Sequence, residues 1–296
     1  MTRFPHDAKA LLRAHGLRPK HHLGQNFLLD DNHLRLIVEA ADIKPGQIVL
    51  EVGPGTGALS VRLLEAGAQL VAVEVDGDLE LLLQAVLEPF GSAARLLMAD
   101  VLAQKHRVNP AVSEALRAMG ADNKGAMPSF MLVSNLPYQI ASPLLANLAA
   151  AWPAMPRAVV TVQLEVAQRL CAAPGTKAFG PLSVVVQAMC QTEMLRPVGA
   201  SCFWPIPKVD SAVVRLDRRD PPFADDPAAL ETIVRKVFGQ RRKQLGSILK
   251  RTYPGRDLPV GFDPSARPEQ LSVEQWVSLA AHLDQAGPAS RRGHVS

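Results

Sequence analysis

Short apolar runs that each stop at a polar residue, with a helical stretch behind the stop, constrain this chain more than any other feature. Ile48–Val52, Leu70–Val75, Arg95–Ala99, Phe130–Ser134 and Ala158–Leu164 read as buried strands. Ala58–Glu65, Leu79–Leu87, Pro110–Met119 and Ala141–Ala151 lie between them with helical spacing. Residues 31–42 precede the first strand as a helix, with Leu34, Ile37, Val38 and Ala41 on one stripe. Strands alternating with helices predict a mostly parallel sheet covered on both faces, an α/β Rossmann-like architecture. Val166–Cys171, Leu182–Met189 and Glu193–Val198 supply further elements, and Ser211–Leu216 alternates like a half-buried strand. After Asp220-Pro221-Pro222 the pattern changes: residues 227–251 and 269–283 read as helices with no strand between them. The expected organisation is therefore a large domain over 1–220 and a small helical domain over 221–296. Residues 1–22 are expected to be a flexible basic lead, and the chain after about 286 a loose tail. The stretch Leu102–Ser129 is expected to hold one helix, Pro110–Met119, between two loops.

With 48% apolar and 20% charged residues, the 296-residue chain can bury a sizeable core, which excludes a disordered or fibrous protein. A net charge of +4 is too mild to name a partner, but it is unevenly spread. Residues 1–29 hold five Lys/Arg against one acid, and residues 232–256 hold eight Lys/Arg and no acid. The remainder is net acidic, so a polyanion would meet two basic regions on an acidic body. Cys171, Cys190 and Cys202 are too few and too irregular for a disulfide framework or a zinc site. Their apolar neighbourhoods suit reduced thiols and a cytoplasmic location. No signal peptide is evident and no run approaches the length of a membrane span, so no membrane partner is expected.

Glu51-Val-Gly-Pro-Gly-Thr-Gly57 follows a strand and opens a helix. Glycines there permit a tight turn and let a ligand approach the backbone. Taken alone, such a match is more often a plain glycine-rich turn than a nucleotide site. Two further carboxylates sharpen it. Glu74 ends the next strand, where it can accept from both hydroxyls of a ribose, and Asp100 ends the third, where it can accept from an adenine amino group. Glu51 would repel a pyrophosphate, and Pro54 removes a backbone donor that a phosphate wants. A glycine loop flanked by carboxylates thus favours S-adenosylmethionine, with its sulfonium and ammonium groups, over a dinucleotide or ATP.

Asn135-Leu136-Pro137-Tyr138 ends the fourth strand. Its bland reading is a capping Asn followed by a core Tyr. The chemical reading is stronger. The Asn135 side-chain carbonyl and a backbone carbonyl presented by a stiff Pro turn could take both hydrogens of an exocyclic amine, leaving its lone pair aimed at a methyl donor. Tyr138 offers a face to a flipped-out base.

These residues resemble the Asn-Leu-Pro-Tyr motif of adenine-N6 methyltransferases acting on ribosomal RNA, most nearly the bacterial small-subunit rRNA adenine dimethyltransferases. Further matches run from residue 20 to about 250. Leu23-Gly-Gln-Asn-Phe-Leu28 resembles the family's N-terminal cofactor motif, and Glu51–Gly57 its glycine loop. Gln163–Arg169 resembles a helix start, Phe203–Val213 the long Phe-x-Pro-x-Pro-Lys-Val-Asp-Ser signature, and Arg241–Leu245 a basic C-terminal helix. The resemblance implies an S-adenosylmethionine-dependent methyltransferase fold. Asn26, Leu28 and Glu51 would line the cofactor pocket, with Gly53, Gly55 and Gly57 forming the loop. Glu74 would hold the ribose and Asp100 the cofactor adenine, with Val101 and Asn135 completing the pocket. Asn135 and the Leu136 carbonyl would orient the target amine, Pro137 would stiffen the turn, and Tyr138 and Phe203 would sandwich the target adenine. The implied partner is small-subunit ribosomal RNA within an assembling 30S particle, docked in part by Arg241, Arg242, Lys243, Lys250 and Arg251. The chain departs from the family pattern at Pro181 and Leu164, where the family usually has basic residues.

Methyl transfer from a sulfonium is an in-line displacement with a neutral leaving group. It rests on positioning, and no His/Cys/Asp/Glu ligand spacing appears in the sequence, so no metal is expected. Two other readings stay open: a large-subunit rRNA methylase of the antibiotic-resistance kind, and a non-catalytic assembly or transcription factor on the same fold. Nothing in the sequence demands a dimer, and a monomer is expected.

Overall fold

The computed structural model describes residues 8–104, 107–120 and 126–284. Its strands are β1 (Phe27–Leu28), β2 (Ile48–Val52), β3 (Gln69–Glu74), β4 (Ala94–Met98), β5 (Leu102–Gln104), β6 (Arg107–Val108), β7 (Phe130–Asn135), β8 (Arg157–Gln163), β9 (Cys190–Val198), β10 (Phe203–Trp204) and β11 (Ser211–Arg218). Its helices are α1 (Ala8–Ala14), α2 (Asp31–Ala41), α3 (Ala58–Glu65), α4 (Glu80–Leu87), α5 (Pro110–Met119), α6 (Tyr138–Ala151), α7 (Leu164–Leu170), α8 (Pro181–Met189), α9 (Pro227–Phe238), α10 (Leu245–Thr252) and α11 (Val273–Asp284).

The chain divides into two compact units. The first comprises residues 1–168 and 191–218, the second 169–190 and 219–296. The division differs from a single cut near 220, because residues 169–190, with α8, group with the C-terminal helices. Val184, Val185, Val186 and Ala188 of α8 are all buried. Within the second unit the Arg219 and Phe223 amides donate to the Met189 and Ala188 carbonyls.

The first unit holds a seven-stranded sheet in the order β4-β3-β2-β7-β8-β11-β9. Strands β4 to β8 of this sheet pair in parallel, and β11 pairs with β8 antiparallel. β2 and the first five residues of β7 are buried throughout, which is why they read as nearly continuous apolar runs, interrupted at Glu51 and Ser134, rather than alternating ones. From β2 the chain steps outward to β3 and β4, then returns to β7 on the other side of β2 and moves away through β8. The strand order reverses between β2 and β7, and in such sheets ligands bind beyond the carboxyl ends of the strands at that reversal.

Helix boundaries follow local chemistry. The Asp30 carboxylate caps α2 by accepting from the His33 amide, and Asn109 caps α5 ahead of Pro110. The Arg218 guanidinium donates to the carbonyls of Leu148, Ala149 and Trp152 at the end of α6, a favourable place for a cation.

Three expectations change. From residue 8 the N-terminal lead is folded: Leu12 of α1 is buried with Phe27, Val61 and Leu83. Residues 1–7 and the tail after residue 284 lie outside the described residues. Leu102–Gln104 and Arg107–Val108 pair antiparallel as β5 and β6 where loop is expected. The continuous helix read over 227–251 is two helices, because Gly239–Gln244 turns the chain.

In the second unit Trp276 of α11 is wholly buried and stacks on Phe238 of α9 at 5.0 Å. Among the described residues no helix is long and apolar enough to cross a membrane.

Candidate active site

The reversal between β2 and β7 opens into a cavity of about 210 Å³. Twelve of the residues singled out from the sequence line it: Asn26, Leu28, Glu51, Gly53, Gly55, Glu74, Asp100, Val101, Asn135, Leu136, Pro137 and Tyr138. They arrive from the ends of β2, β3, β4 and β7 and from the segment ahead of α2.

The loop after β2 has three glycines at positive φ, Gly53, Gly55 and Gly57. Space demands them as much as backbone angle does. A Cβ on Gly55 would lie 2.8 Å from the Phe27 ring, and one on Gly57 would lie 2.6 Å from Val86 Cγ1. Gly57 does not line the cavity; it opens α3 and lets α4 close on the loop.

Glu51 sits at the end of β2, 1% exposed. Its Oε2 accepts from the Ser60 hydroxyl at 2.6 Å. Burial pushes its carboxyl up to about 8; the Ser60 bond opposes this, while the Glu74 charge adds to it. Glu74, also buried, is raised by burial too, partly offset by backbone donors. Its Oε1 takes the Val75 and Asp76 amides, both at 2.9 Å, while Oε2 has, among the described residues, a long 3.4 Å contact from the Gly55 amide. One oxygen of Glu74 thus holds the turn and the other keeps acceptor capacity. Asp100 is exposed, and its Oδ1 accepts from the Leu102 amide at 2.9 Å.

Two buried carboxylates in one cavity are costly unless a cation or hydroxyl donors meet them. This set of acceptors therefore fits a ligand bearing an ammonium or sulfonium group and a ribose, and it does not fit a pyrophosphate.

Asn135 ends β7. Its Nδ2 donates to the Asn26 backbone carbonyl at 3.1 Å, which sets the amide's orientation. Its Oδ1 is out of solvent and has no hydrogen-bond partner among the described residues. Buried acceptors are nearly always paired, so an orphan at a cavity wall marks a place where a donor from a ligand is missing. Pro137 leads directly into α6, whose first residue is Tyr138. The Tyr138 hydroxyl pairs with the Ser211 hydroxyl at 2.7 Å, and Ser211 is wholly buried at the start of β11. This bond fixes the ring at the cavity edge. Burial raises the phenol above its ordinary value, so it stays neutral.

Phe203 is a correction. It does not line the cavity and is only 1% exposed. The β1–β10 pairing sets Leu28 opposite Phe203, and the ring packs in the core with Leu28, Leu34, Val198 and Val213. In this conformation it cannot stack on a base. Trp204, on the alternate face, is half-buried and stacks on Phe27 at 6.3 Å.

A clip lies just past the end of β3. Asp76, just past Glu74, is 3% exposed and pairs with Lys20 Nζ, and Gln25 Nε2 donates to it at 2.7 Å. Burial would raise its carboxyl, but the bonds from Lys20, Gln25 and the Asp78 amide outweigh that and hold it low. The clip ties residues 20–25 to the end of β3. Lys20 lies 56 positions from its partner, so no local pattern announces the pair.

The five candidate RNA-binding cations lie in the second unit. Arg242, Lys243, Lys250 and Arg251 are exposed. Arg241, Arg242 and Lys243 stand in the turn between α9 and α10, not on a helix. Arg241 is tied inward: its Nη2 donates to the Thr176 carbonyl, and its Nε lies 3.6 Å from a Glu269 oxygen.

The sequence profile of the ribosomal RNA adenine dimethylase family matches residues 16–285. A "Ribosomal RNA small subunit methyltransferase A" of Opitutus terrae is 39% identical, over 94% of this chain and 98% of its own length. The protein of that name from Geobacillus kaustophilus is 36% identical over 94% of this chain and 96% of its own. Among solved structures, a dimethyladenosine transferase from Plasmodium falciparum shares the fold, with a TM-score of 0.68 and 24% identity over 87% of this chain and 97% of its own. The 23S rRNA methyltransferase ErmE gives 0.64 and 27% identity, over 88% of this chain and all of its own. A profile matched across nearly the whole chain, on a sheet whose reversal point gathers the family's motif residues, places this chain in the ribosomal RNA adenine dimethylase family.

Proposed function

We propose that this chain dimethylates the N6 amine of two adjacent adenosines near the 3′ end of small-subunit ribosomal RNA, on an assembling 30S particle, using S-adenosylmethionine. The observation that carries it is the orphaned Oδ1 of Asn135 beside Tyr138. An acceptor already oriented by Asn26 suits an exocyclic amine, which has two hydrogens to place.

The donor supplies an electrophilic methyl on a sulfonium. Glu74 Oε2 would accept from its ribose hydroxyls, Asp100 would hold its adenine, and Glu51 would face its cationic end. With Asn135 Oδ1 taking one amine hydrogen and the Leu136 carbonyl the other, the nitrogen lone pair is left for attack. Tyr138, braced by Ser211, would support the extruded base from one side. Binding a base flat against an aromatic ring is a general way to present it outside a helix. The proton lost from the amine needs no strong base, so positioning carries the rate, and a displacement of about 1 Å would cost on the order of 10²-fold.

The small-subunit target is favoured by the names of the curated relatives, which span almost this whole chain. The likeness to ErmE keeps a large-subunit target as the second reading. The exposed Arg242, Lys243, Lys250 and Arg251 are the proposed phosphate contacts of the second unit. The test is incubation of the full chain with labelled S-adenosylmethionine and immature small subunits, with purified large-subunit RNA in parallel. The expected label is on small-subunit adenines; label confined to large-subunit RNA overturns the target assignment.

A further inference from the structure

Away from the cavity, Asp30, His33 and Cys202 bring a carboxylate oxygen, an imidazole nitrogen and a thiol sulfur within 4.8 Å of one another. We propose that these three residues form a binding site for a thiophilic divalent ion of the zinc type. The site is independent of the methyl-transfer reading.

The placement is built by the fold. Asp30 is fixed because it caps α2, its Oδ1 accepting from the His33 amide at 3.0 Å. His33 lies in the first turn of the same helix, so its ring returns over the cap, with Nδ1 2.8 Å from Asp30 Oδ1. Cys202 comes from far along the chain, at the end of a short turn over Ala200–Cys202. Its carbonyl accepts from the Leu29 amide at 2.8 Å, so the backbone beside the thiol is anchored beside Asp30. All three residues are half-buried, which limits competition from water without closing an entry path.

The chemistry matches zinc better than magnesium or calcium. Hard ions want oxygen ligands, whereas a sulfur, an imidazole and one carboxylate are the mixed set that zinc and cobalt(II) accept. Cys202 would bind as thiolate, its proton passing to buffer. Thiolate and carboxylate then neutralise the ion's two charges. Three protein ligands leave a fourth tetrahedral position to water. Bond lengths near 2.0–2.3 Å set tetrahedral ligand atoms about 3.3–3.8 Å apart, so the thiol would close in while the Asp30–His33 pair, now 2.8 Å apart, would open slightly.

Occupancy would staple the start of α2 to the turn before β10. β10 pairs with β1, next to Asn26, whose carbonyl holds the Asn135 amide. The ion would therefore stiffen the framework behind the catalytic Asn without touching the cavity.

Cobalt(II) titration of the full chain, followed by its sulfur-to-metal charge-transfer and tetrahedral ligand-field bands, tests this. One equivalent with both bands is expected. Cys202→Ser should abolish the charge-transfer band, and Cys171→Ser should keep it. His33→Gln should weaken binding by at least about tenfold, the loss typical of even an indirect partner. Zinc should raise the unfolding temperature of the wild-type chain and leave Cys202→Ser unmoved. Absence of the bands in the wild-type chain overturns the site, as does a band that survives Cys202→Ser. If Cys202→Ser does not fold, His33→Gln decides: unchanged affinity there overturns the site as well.

Discussion

In the proposed mechanism Asn135 concentrates the chemistry into one side chain. Its Nδ2 is spent on the Asn26 carbonyl, and its Oδ1 has no partner among the described residues. Asn135→Ala should abolish methyl transfer while leaving S-adenosylmethionine affinity nearly intact, checked by turnover alongside calorimetric binding. Glu51 makes a different prediction. Burial raises its carboxyl to about 8, above the unfolded value near 4.5, so the folded chain holds a proton that the unfolded chain has lost between those values. Stability from this group is full below the lower value and falls as pH rises toward 8. Glu51→Gln should flatten that decline in the ligand-free protein, and the difference at pH 8 should be on the order of a few kcal/mol, read by denaturant unfolding at several pH values. Binding a cationic ligand should lower the Glu51 carboxyl and release a proton, visible as a buffer-dependent binding enthalpy. The acids and the Asn were legible in the sequence because each ends an apolar run. Phe203 was not, because its direction depends on pairing with Leu28, a long-range register that local spacing does not report.

At the scale of elements, the core strands and the helices behind them were legible, and the short pairings β1–β10 and β5–β6 were not. β2, β3, β7 and β8 appear where the apolar runs lie, since parallel strands buried on both faces need no alternation. The basic run over 241–251 conceals a turn at Gly239–Gln244, and helical spacing on both sides bridges it in the sequence. This changes what the cations do. Arg241 braces the turn through Thr176 and Glu269. Arg242→Ala with Lys243→Ala should weaken binding to small-subunit particles and flatten its salt dependence, by about one unit of slope for each phosphate no longer neutralised. An unchanged slope places the docking surface elsewhere. The Lys20–Asp76–Gln25 clip belongs to this scale too, because it ties the segment before β1 to the end of β3. Asp76→Ala removes the charge-assisted bonds to Lys20 and Gln25. It should raise KM for S-adenosylmethionine roughly tenfold or more and leave kcat nearly unchanged, because it acts on the cofactor-side framework.

At the scale of the whole molecule, the mild net charge of +4 resolves into parts with different tasks. The acidic portion includes Glu51, Glu74 and Asp100 around the cavity, and the basic portion includes the exposed cations of the second unit. Two units were legible from the loss of strands after residue 220, but the excursion of residues 169–190 was not. An α-helix such as α8 carries no sequence mark of which core it joins; its apolar face is satisfied by either. The most direct measurement is base-resolved mapping after incubation of the full chain, S-adenosylmethionine and immature small subunits, with the Asn135→Ala chain alongside. Two adjacent N6-dimethylated adenosines near the 3′ end of small-subunit RNA, absent with Asn135→Ala, are the expected result. Unmodified small-subunit RNA from an intact chain that binds S-adenosylmethionine, or equal modification by Asn135→Ala, would contradict it.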